Sequence, residues 1–427
     1  MDFMVDKPLL DRRYAAIGEK SPLFYDEPLH LVKGEGVWVY DSGGKKYLDA
    51  YNNVPHVGHC NPRVVQAVTD QLATFNSHTR YLHENLVSYV ERLTSKFSDP
   101  LDMMILTCTG SEANEAALRL ARNHTRAQGI IVTNCSYHGN TEAVAELGFA
   151  FMPEAQTTQR VLAFTPPCTY RMSGHEVSGE IYLQEIRQAI TQFKERGIGL
   201  AGILLCPAFA NEGLINSPPG FVRAAIDLVR AEGGLFIADE VQGGFGRTGK
   251  WWSHQWEDVV PDIVTLGKPM GNGYPLAGVV SSAELVNEFS EWGMYFNTFA
   301  GGPVACAAGA AVMDVIEQES LIDRAAEVGD YLAQKLRSLQ EKHEIIGDVR
   351  HKGLIFAVEL VTNRAEKTPA TKEAGKIVNA MCREGVLISR IGTHDSVLKV
   401  RPPMVFEREH ADLLIEKLDT CISEGGN

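Results

Sequence analysis

The 427-residue chain lacks any apolar run of the roughly 20 residues that a membrane-spanning helix needs. Its one long uncharged stretch, residues 299–313, is rich in Gly and Ala, contains Pro303, and reads as a buried helix. Cationic side chains are the minority: 40 Lys and Arg stand against 54 Asp and Glu, a formal charge of −14. An acidic surface repels phosphate backbones and anionic lipid, which argues against nucleic acid or a membrane as main partner. The eight cysteines (60, 108, 135, 168, 206, 306, 382, 421) form no CxxC pair, which fits reduced core thiols in a cytoplasm. No repeat, low-complexity tract or flexible linker stands out. The start, MDFMVDKPLLDRR, has no basic region leading into an apolar stretch and does not read as a secretory signal. What is present is an ordinary globular composition, 44% hydrophobic and 22% charged, at a length that suits two or three domains. The expectation is an intracellular enzyme.

From residue 64 onward, short apolar runs alternate with runs of helical period. Strands are expected at 103–108, 129–135, 200–206, 235–239 and 263–266, with helices at 111–125 and 221–232 between them. That alternation predicts an α/β fold with a mostly parallel sheet covered by helices on both faces. Ligands of such sheets bind beyond the carboxyl ends of the strands, so the residues just past each strand matter most. After residue 320 the pattern changes, with a helix to 342, strands at 354–360, 386–389 and 397–400, and a helix at 371–384. The domains are therefore read as 61–320, a large sheet domain, and 321–427, a smaller α+β domain joined by residues 1–60.

Three local signals point to chemistry, and each has a bland counterpart. In Thr107–Asn114, Thr109 and Glu112 fit a capping box, and the amides of Ser111 and Glu112 with the helix dipole make an anion site; a plain helix cap is the commoner reason for such a segment. Asp239 closes the strand GLFIADE, where a carboxylate is costly unless something positive needs it. A cap or a surface ion pair is the alternative, weakened because no helical pattern follows. Lys268, in TLGKPMGNGYP, has apolar or Gly neighbours and no acidic residue until Glu284, so a desolvated amine able to form a Schiff base is expected, against the default of an exposed loop lysine. Two resemblances to nucleotide motifs fail. Gly244–Gly249 matches GxGxxG without opening a helix, and Trp251 follows Lys250 where a phosphate loop needs Ser or Thr. No metal is expected: His56-x-x-His59-Cys60 has no third ligand at a suitable spacing, and backbone-bonded loop histidines explain it better.

An anion cradle, a strand-end carboxylate and a desolvated lysine at one sheet edge form a single constellation. Pyridoxal 5'-phosphate needs those parts: amides for its phosphate, a carboxylate for its ring nitrogen, and a lysine for its aldehyde.

On these residues the chain resembles the class III aminotransferases, fold type I among pyridoxal phosphate enzymes. The likeness runs from about residue 28 to about residue 418 and rests on GSEANEAALRLAR (110–122), SYHG (136–139), ADEVQGGFGRTGK (238–250), TLGKPMGNGYP (265–275) and FNTFAGGPVACAA (296–308). It implies Lys268 as the internal aldimine and proton shuttle, Asp239 at the ring nitrogen, Gln242 near the ring hydroxyl, and Tyr137 against the ring face. His138 would join the cofactor site. Gly110 and Ser111 would hold the phosphate with Thr298 of a neighbouring subunit, since the family forms dimers with shared active sites. YNNVPHVGHCNP (51–62), NSHTRYLH (76–83) and LKVRPPM (398–404) resemble the branch that holds alanine–glyoxylate type 2-like proteins and the phospho-lyases acting on phosphoethanolamine or phosphohydroxylysine. Where many relatives place an arginine for the α-carboxylate, this chain has Lys399 and then Arg401, which period two puts on one strand face. Cys206 replaces the usual glutamate before proline. These departures leave room for a phosphate or another anion, with Asn53, Lys399 and Arg401 as substrate candidates.

The sequence thus reads as a cytoplasmic homodimeric enzyme taking a small amine or amino acid. Amino transfer to a keto acid or aldehyde ranks first as the commoner family outcome, with elimination of a substituent such as phosphate as the alternative. A non-catalytic protein that kept the fold is disfavoured by the intact Lys268, Asp239 and Tyr137.

Overall fold

The computed structural model describes residues 6–150, 158–172 and 178–425; the outermost residues of the expected segments 1–60 and 321–427 lie outside these. The chain divides into two compact units, one of Pro62–Ala326 and one of the residues before and after it, with the division falling inside the helix Leu321–Lys342.

In the larger unit seven strands form one sheet in the order Met103–Thr107, Ala277–Ser281, Ile263–Leu266, Leu235–Asp239, Leu200–Leu205, Gly129–Thr133, Val161–Phe164. Only Ala277–Ser281 runs against its neighbours, so the sheet is mostly parallel and the carboxyl ends of the other six share one edge. Two of the seven, Val161–Phe164 and Ala277–Ser281, are not among the strands the sequence pattern predicts. The helix Gly110–Thr125 lies on this sheet through Ala113, Ala116, Ala117, Leu120 and Ala121, packed with Ile130, Val132, Leu204 and Ile237. Alanine on the contact face brings the helix axis close to the strands, which fixes the height of its amino terminus above the sheet edge. The uncharged run 299–313 becomes the helix Pro303–Gln318, with Pro303 at its first position and eleven buried residues.

The other unit joins amino- and carboxyl-terminal chain. Leu31–Glu35, Trp38–Asp41 and Lys46–Asp49 form a meander that Val386–Leu387 extends in parallel. A second sheet holds Ile346–Lys352, Ile355–Asn363, Val397–Val400 and Ser389–Ile391, all antiparallel, with Thr368–Pro369 at the side of Ile355–Asn363. Among the described residues no helix is long and apolar enough to cross a membrane.

Candidate active site

At the carboxyl edge of the large sheet, Thr109, Gly110, Ser111, Tyr137, His138, Gly139, Cys206, Asp239, Val241, Gln242 and Lys268 line one cavity of about 210 Å³. These residues come from five strand ends, which is where the parallel topology sends them.

Helix Gly110–Thr125 opens this cavity. Thr109 accepts from the Glu112 amide at 3.2 Å, and the Glu112 carboxylate accepts in return from the amides of Cys108 and Thr109 at 2.8 and 2.9 Å. The capping box consumes the Glu112 amide, so the anion cradle expected at Ser111 and Glu112 shifts back by one residue. The amides of Gly110 and Ser111 have no acceptor among the described residues. Gly139, at φ +142°, crosses close above: a Cβ there would stand 2.5 Å from Ser111 Oγ. The next amide, Asn140, donates to that Oγ at 3.2 Å. Cup and strap are thus built of backbone.

Asp239 is 6% exposed and carries three donors. His138 Nδ1 (2.7 Å) and Asn114 Nδ2 (3.1 Å) bond to Oδ2, and the Val241 amide (3.0 Å) to Oδ1. The carboxylate is therefore held as an acceptor of fixed orientation. Its neighbour Glu240, fully buried, accepts from the Ser253 amide and hydroxyl and from the His254 amide and Nδ1 at 2.7–2.9 Å, which pins the loop after the strand. Beyond Gln242 that loop packs inward, with Phe245 and Trp252 fully buried and Trp252 stacked on Phe97 at 4.1 Å.

Lys268 differs from expectation. The sequence predicts a desolvated amine, yet the residue is exposed while Gly267 and Pro269 beside it are buried. The strand ends at Leu266, so the side chain leaves the core and stands at the cavity.

Asn211 is a site residue the sequence analysis missed. Its Nδ2 donates to the Tyr137 carbonyl at 3.1 Å, and its Oδ1 accepts from Gln242 Nε2 at 3.1 Å. Glu212 beside it accepts from the Thr133 hydroxyl and the Asn211 amide. Burial pushes the Glu212 carboxyl above its usual range, the Thr133 bond opposing this. The Cys206 thiol is likewise pushed far up by burial and then by Asp239, so it stays neutral. Asn114 was missed too; its signal is an asparagine among the buried alanines of the helix, where polar side chains usually sit badly.

Thr298 is not brought to this cavity. It is exposed and lines another of about 400 Å³ with His78, Cys108 and Tyr274.

The three substrate candidates lie in the other unit. Asn53 is buried with its amide nitrogen unpartnered among the described residues. Lys399 and Arg401 are 4% and 3% exposed, so neither is a solvated rim charge. The strand stops at Val400, and only Lys399 lies in it. Lys399 stands opposite Ala357, which stands opposite Arg350, and Glu359 two residues on stands opposite Asp348. Lys399 therefore shares a sheet face with Arg350, which pairs with Asp348 and Glu359 at 2.7 Å each. Arg401 lies beyond it: its amide bonds the Ala50 carbonyl, and its guanidinium is 5.5 Å from the Tyr51 ring. The 51–54 loop is held by Asp49, whose carboxylate accepts from the amides of Tyr51 and Asn52 and bonds His59 at 2.7 Å. The His59 ring is thus carboxylate-bound, while its amide and carbonyl pair with the Gly36 backbone as expected of a loop histidine.

The large-unit cavity fits pyridoxal phosphate on its donor set: two unused amides at a helix amino terminus, a strap where a Cβ would collide, an oriented carboxylate and an accessible lysine.

A family profile described as Aminotransferase class-III matches residues 24–422. The alanine–glyoxylate aminotransferase 2-like protein of Drosophila melanogaster is 40% identical over 420 residues, 95% of this chain and 85% of that protein. An ethanolamine-phosphate phospho-lyase homologue of Caenorhabditis elegans is 35% identical over 99% of this chain and 94% of its own. Among solved structures, a phospholyase from Arthrobacter in complex with phosphoethanolamine superposes with a TM-score of 0.95 at 46% identity, over 97% of this chain and 99% of that one.

Proposed function

The chain belongs to the class III aminotransferases, the fold type I enzymes that use pyridoxal phosphate, and we propose that within them it is a phospho-lyase acting on an O-phosphorylated amino alcohol such as phosphoethanolamine. The observation that supports this most is the 46% identity, over 97% of the chain, to a phospholyase solved with phosphoethanolamine. It reverses the order the sequence suggested, where amino transfer ranked first. With water, the reaction converts phosphoethanolamine to acetaldehyde, ammonia and phosphate: a proton leaves the amine-bearing carbon, and the C–O bond to phosphate breaks.

When bound, pyridoxal phosphate supplies the electron sink for that proton loss. In this reading Lys268 holds the cofactor and takes the proton on Nζ. Asp239, kept in place by His138, keeps the ring nitrogen protonated. The Gly110 and Ser111 amides hold the cofactor phosphate, Tyr137 covers the ring, and Gln242 meets the ring hydroxyl. Arg401 and Asn53 receive the substrate anion, the former because a guanidinium fork matches phosphate oxygens.

Two further assignments belong to the same proposal. The protein is a homodimer whose partner contributes Thr298, supported by the exposed Tyr81, Leu82, Met294 and Phe299 of the large unit. It works in the cytoplasm, supported by eight free cysteines, five of them buried.

The second reading is amino transfer, favoured by the name of the Drosophila relative. One assay separates the two. Phosphate and ammonia released from phosphoethanolamine in equal amounts, with no keto acid added, are the expected outcome. Product that appears only when pyruvate or glyoxylate is supplied, without phosphate release, would favour transfer.

A further inference from the structure

Asn114 is fully buried in the second turn of the cofactor-side helix, among Ala113, Ala116 and Ala117. A polar side chain survives there only if it is satisfied. Its Nδ2 donates to the His138 carbonyl at 2.7 Å and to Asp239 Oδ2 at 3.1 Å, and its Oδ1 accepts from the Thr265 hydroxyl at 2.8 Å. A carbonyl and a carboxylate only accept, so the amide nitrogen must face them and the oxygen must face Thr265. One side chain thereby joins the helix, the 138 loop, the end of Leu235–Asp239 and the strand that leads to Lys268.

We propose that Asn114 is a positioning residue for the reaction: with His138 Nδ1 and the Val241 amide it fixes the Asp239 carboxylate as an oriented acceptor for the ring nitrogen of the cofactor. This rests on the assignment of Asp239 to that nitrogen. Every donor to a carboxylate favours its ionised form over its protonated one. Without the Asn114 donor the carboxylate turns more freely and no longer meets the ring nitrogen in one fixed direction, which weakens the electron sink. Thr265 acts one step further out by holding the far end of the amide.

The test loads wild type, Asn114→Leu and Thr265→Val with pyridoxal phosphate labelled with nitrogen-15 in the ring, and reads the ring-nitrogen resonance beside kcat on phosphoethanolamine. Leucine keeps the volume and removes the donor. Its resonance is expected to move towards that of an unprotonated ring, with kcat lowered roughly ten- to hundredfold, the scale of one hydrogen bond to a charged group. Thr265→Val should move the resonance in the same direction by less, and it decides the matter if Asn114→Leu does not fold. Wild-type resonances in the folded variants, or a loss seen only in Tm, overturn the proposal. Wild-type protein that binds no cofactor, or in which borohydride attaches it to another lysine, overturns instead the assignment on which it rests.

Discussion

Asp239 gathers three donors at the end of a buried strand, an expensive arrangement for an anion unless it serves a cation or a protonated ring. Asp239→Asn keeps the shape, removes the charge, and sets an amide against two fixed donors. On the proposed role it should still bind pyridoxal phosphate while kcat falls roughly 10²–10³-fold, the usual size of such an electrostatic contribution. Turnover near wild type, with cofactor absorbance retained, would remove Asp239 from that role. Lys399 and Arg401 look equivalent in the sequence but occupy different surroundings. Because Lys399 is buried on the face that carries the Arg350–Asp348–Glu359 ion pairs, Lys399→Ala should mainly destabilise the fold, by about 3–5 kcal/mol, the usual cost of removing one charge from buried surroundings that hold others. Arg401→Ala should instead raise KM for phosphoethanolamine by roughly tenfold or more, with little effect on a neutral amine. Urea unfolding and steady-state kinetics of both variants check this; equal KM losses on both amines would remove the anion-site role of Arg401.

At the scale of elements, the loop that follows Leu200–Leu205 supports the site from behind. Asn211 holds Tyr137 and Gln242, while Glu212 anchors the loop to Thr133. Burial raises the folded-state affinity of Glu212 for its proton. A carboxyl raised on folding stabilises the protein fully below its unfolded value of about 4.3, and that contribution is lost as pH rises through the folded value. Glu212→Gln lacks the titration. The wild-type Tm should thus fall relative to the variant as pH increases from ~4, then run parallel above the raised value. Parallel curves over the whole range would mean that Glu212 does not titrate there. The same loop shows why this element escaped the sequence analysis. CPAFANEGL has no period of two or 3.6, and besides Gly213 its left-handed residues, Phe209 and Leu214, are types that give no turn signal.

For the whole molecule, the exposed apolar side chains of the large unit make a statement about assembly. Leu82, Met294 and Phe299 are almost wholly accessible, and an apolar groove of about 390 Å³ runs beside Val87, Leu106 and Phe296. Such a surface suits an interface, and a second copy is the proposed occupant. Sedimentation velocity should show a dimer for the wild type and a monomer for the double variant Met294→Lys, Phe299→Lys. The monomer should also bind the cofactor less tightly if Thr298 serves the neighbouring site. A monomeric wild type at micromolar concentration would end the shared-site reading.

The sequence alone determined the alternation of strands and helices and the chemical groups at the strand ends. GLFIADE carries its carboxylate at the last strand position, TLGK places a lysine two residues past a strand, and T-G-S-E spells its own helix cap. These are local matters of period, turn chemistry and capping, decided within a few residues of chain. Strand order, register and exposure are not local. Ala277–Ser281 was unread because a short apolar run behind a glycine-rich loop has no sign that it will slip, antiparallel, between Met103–Thr107 and Ile263–Leu266. Thr265 meets Asn114 across 151 residues and Glu212 meets Thr133 across 79, contacts that exist only because the sheet sets those strands side by side. Lys268 was expected to be desolvated from its neighbours in sequence, but its accessibility depends on where the strand stops beside the cavity. Lys399 drew its charged companions from two other strands. Partners far apart in the chain are chosen by pairing and register, and no periodicity within one segment encodes which segment will lie next to it.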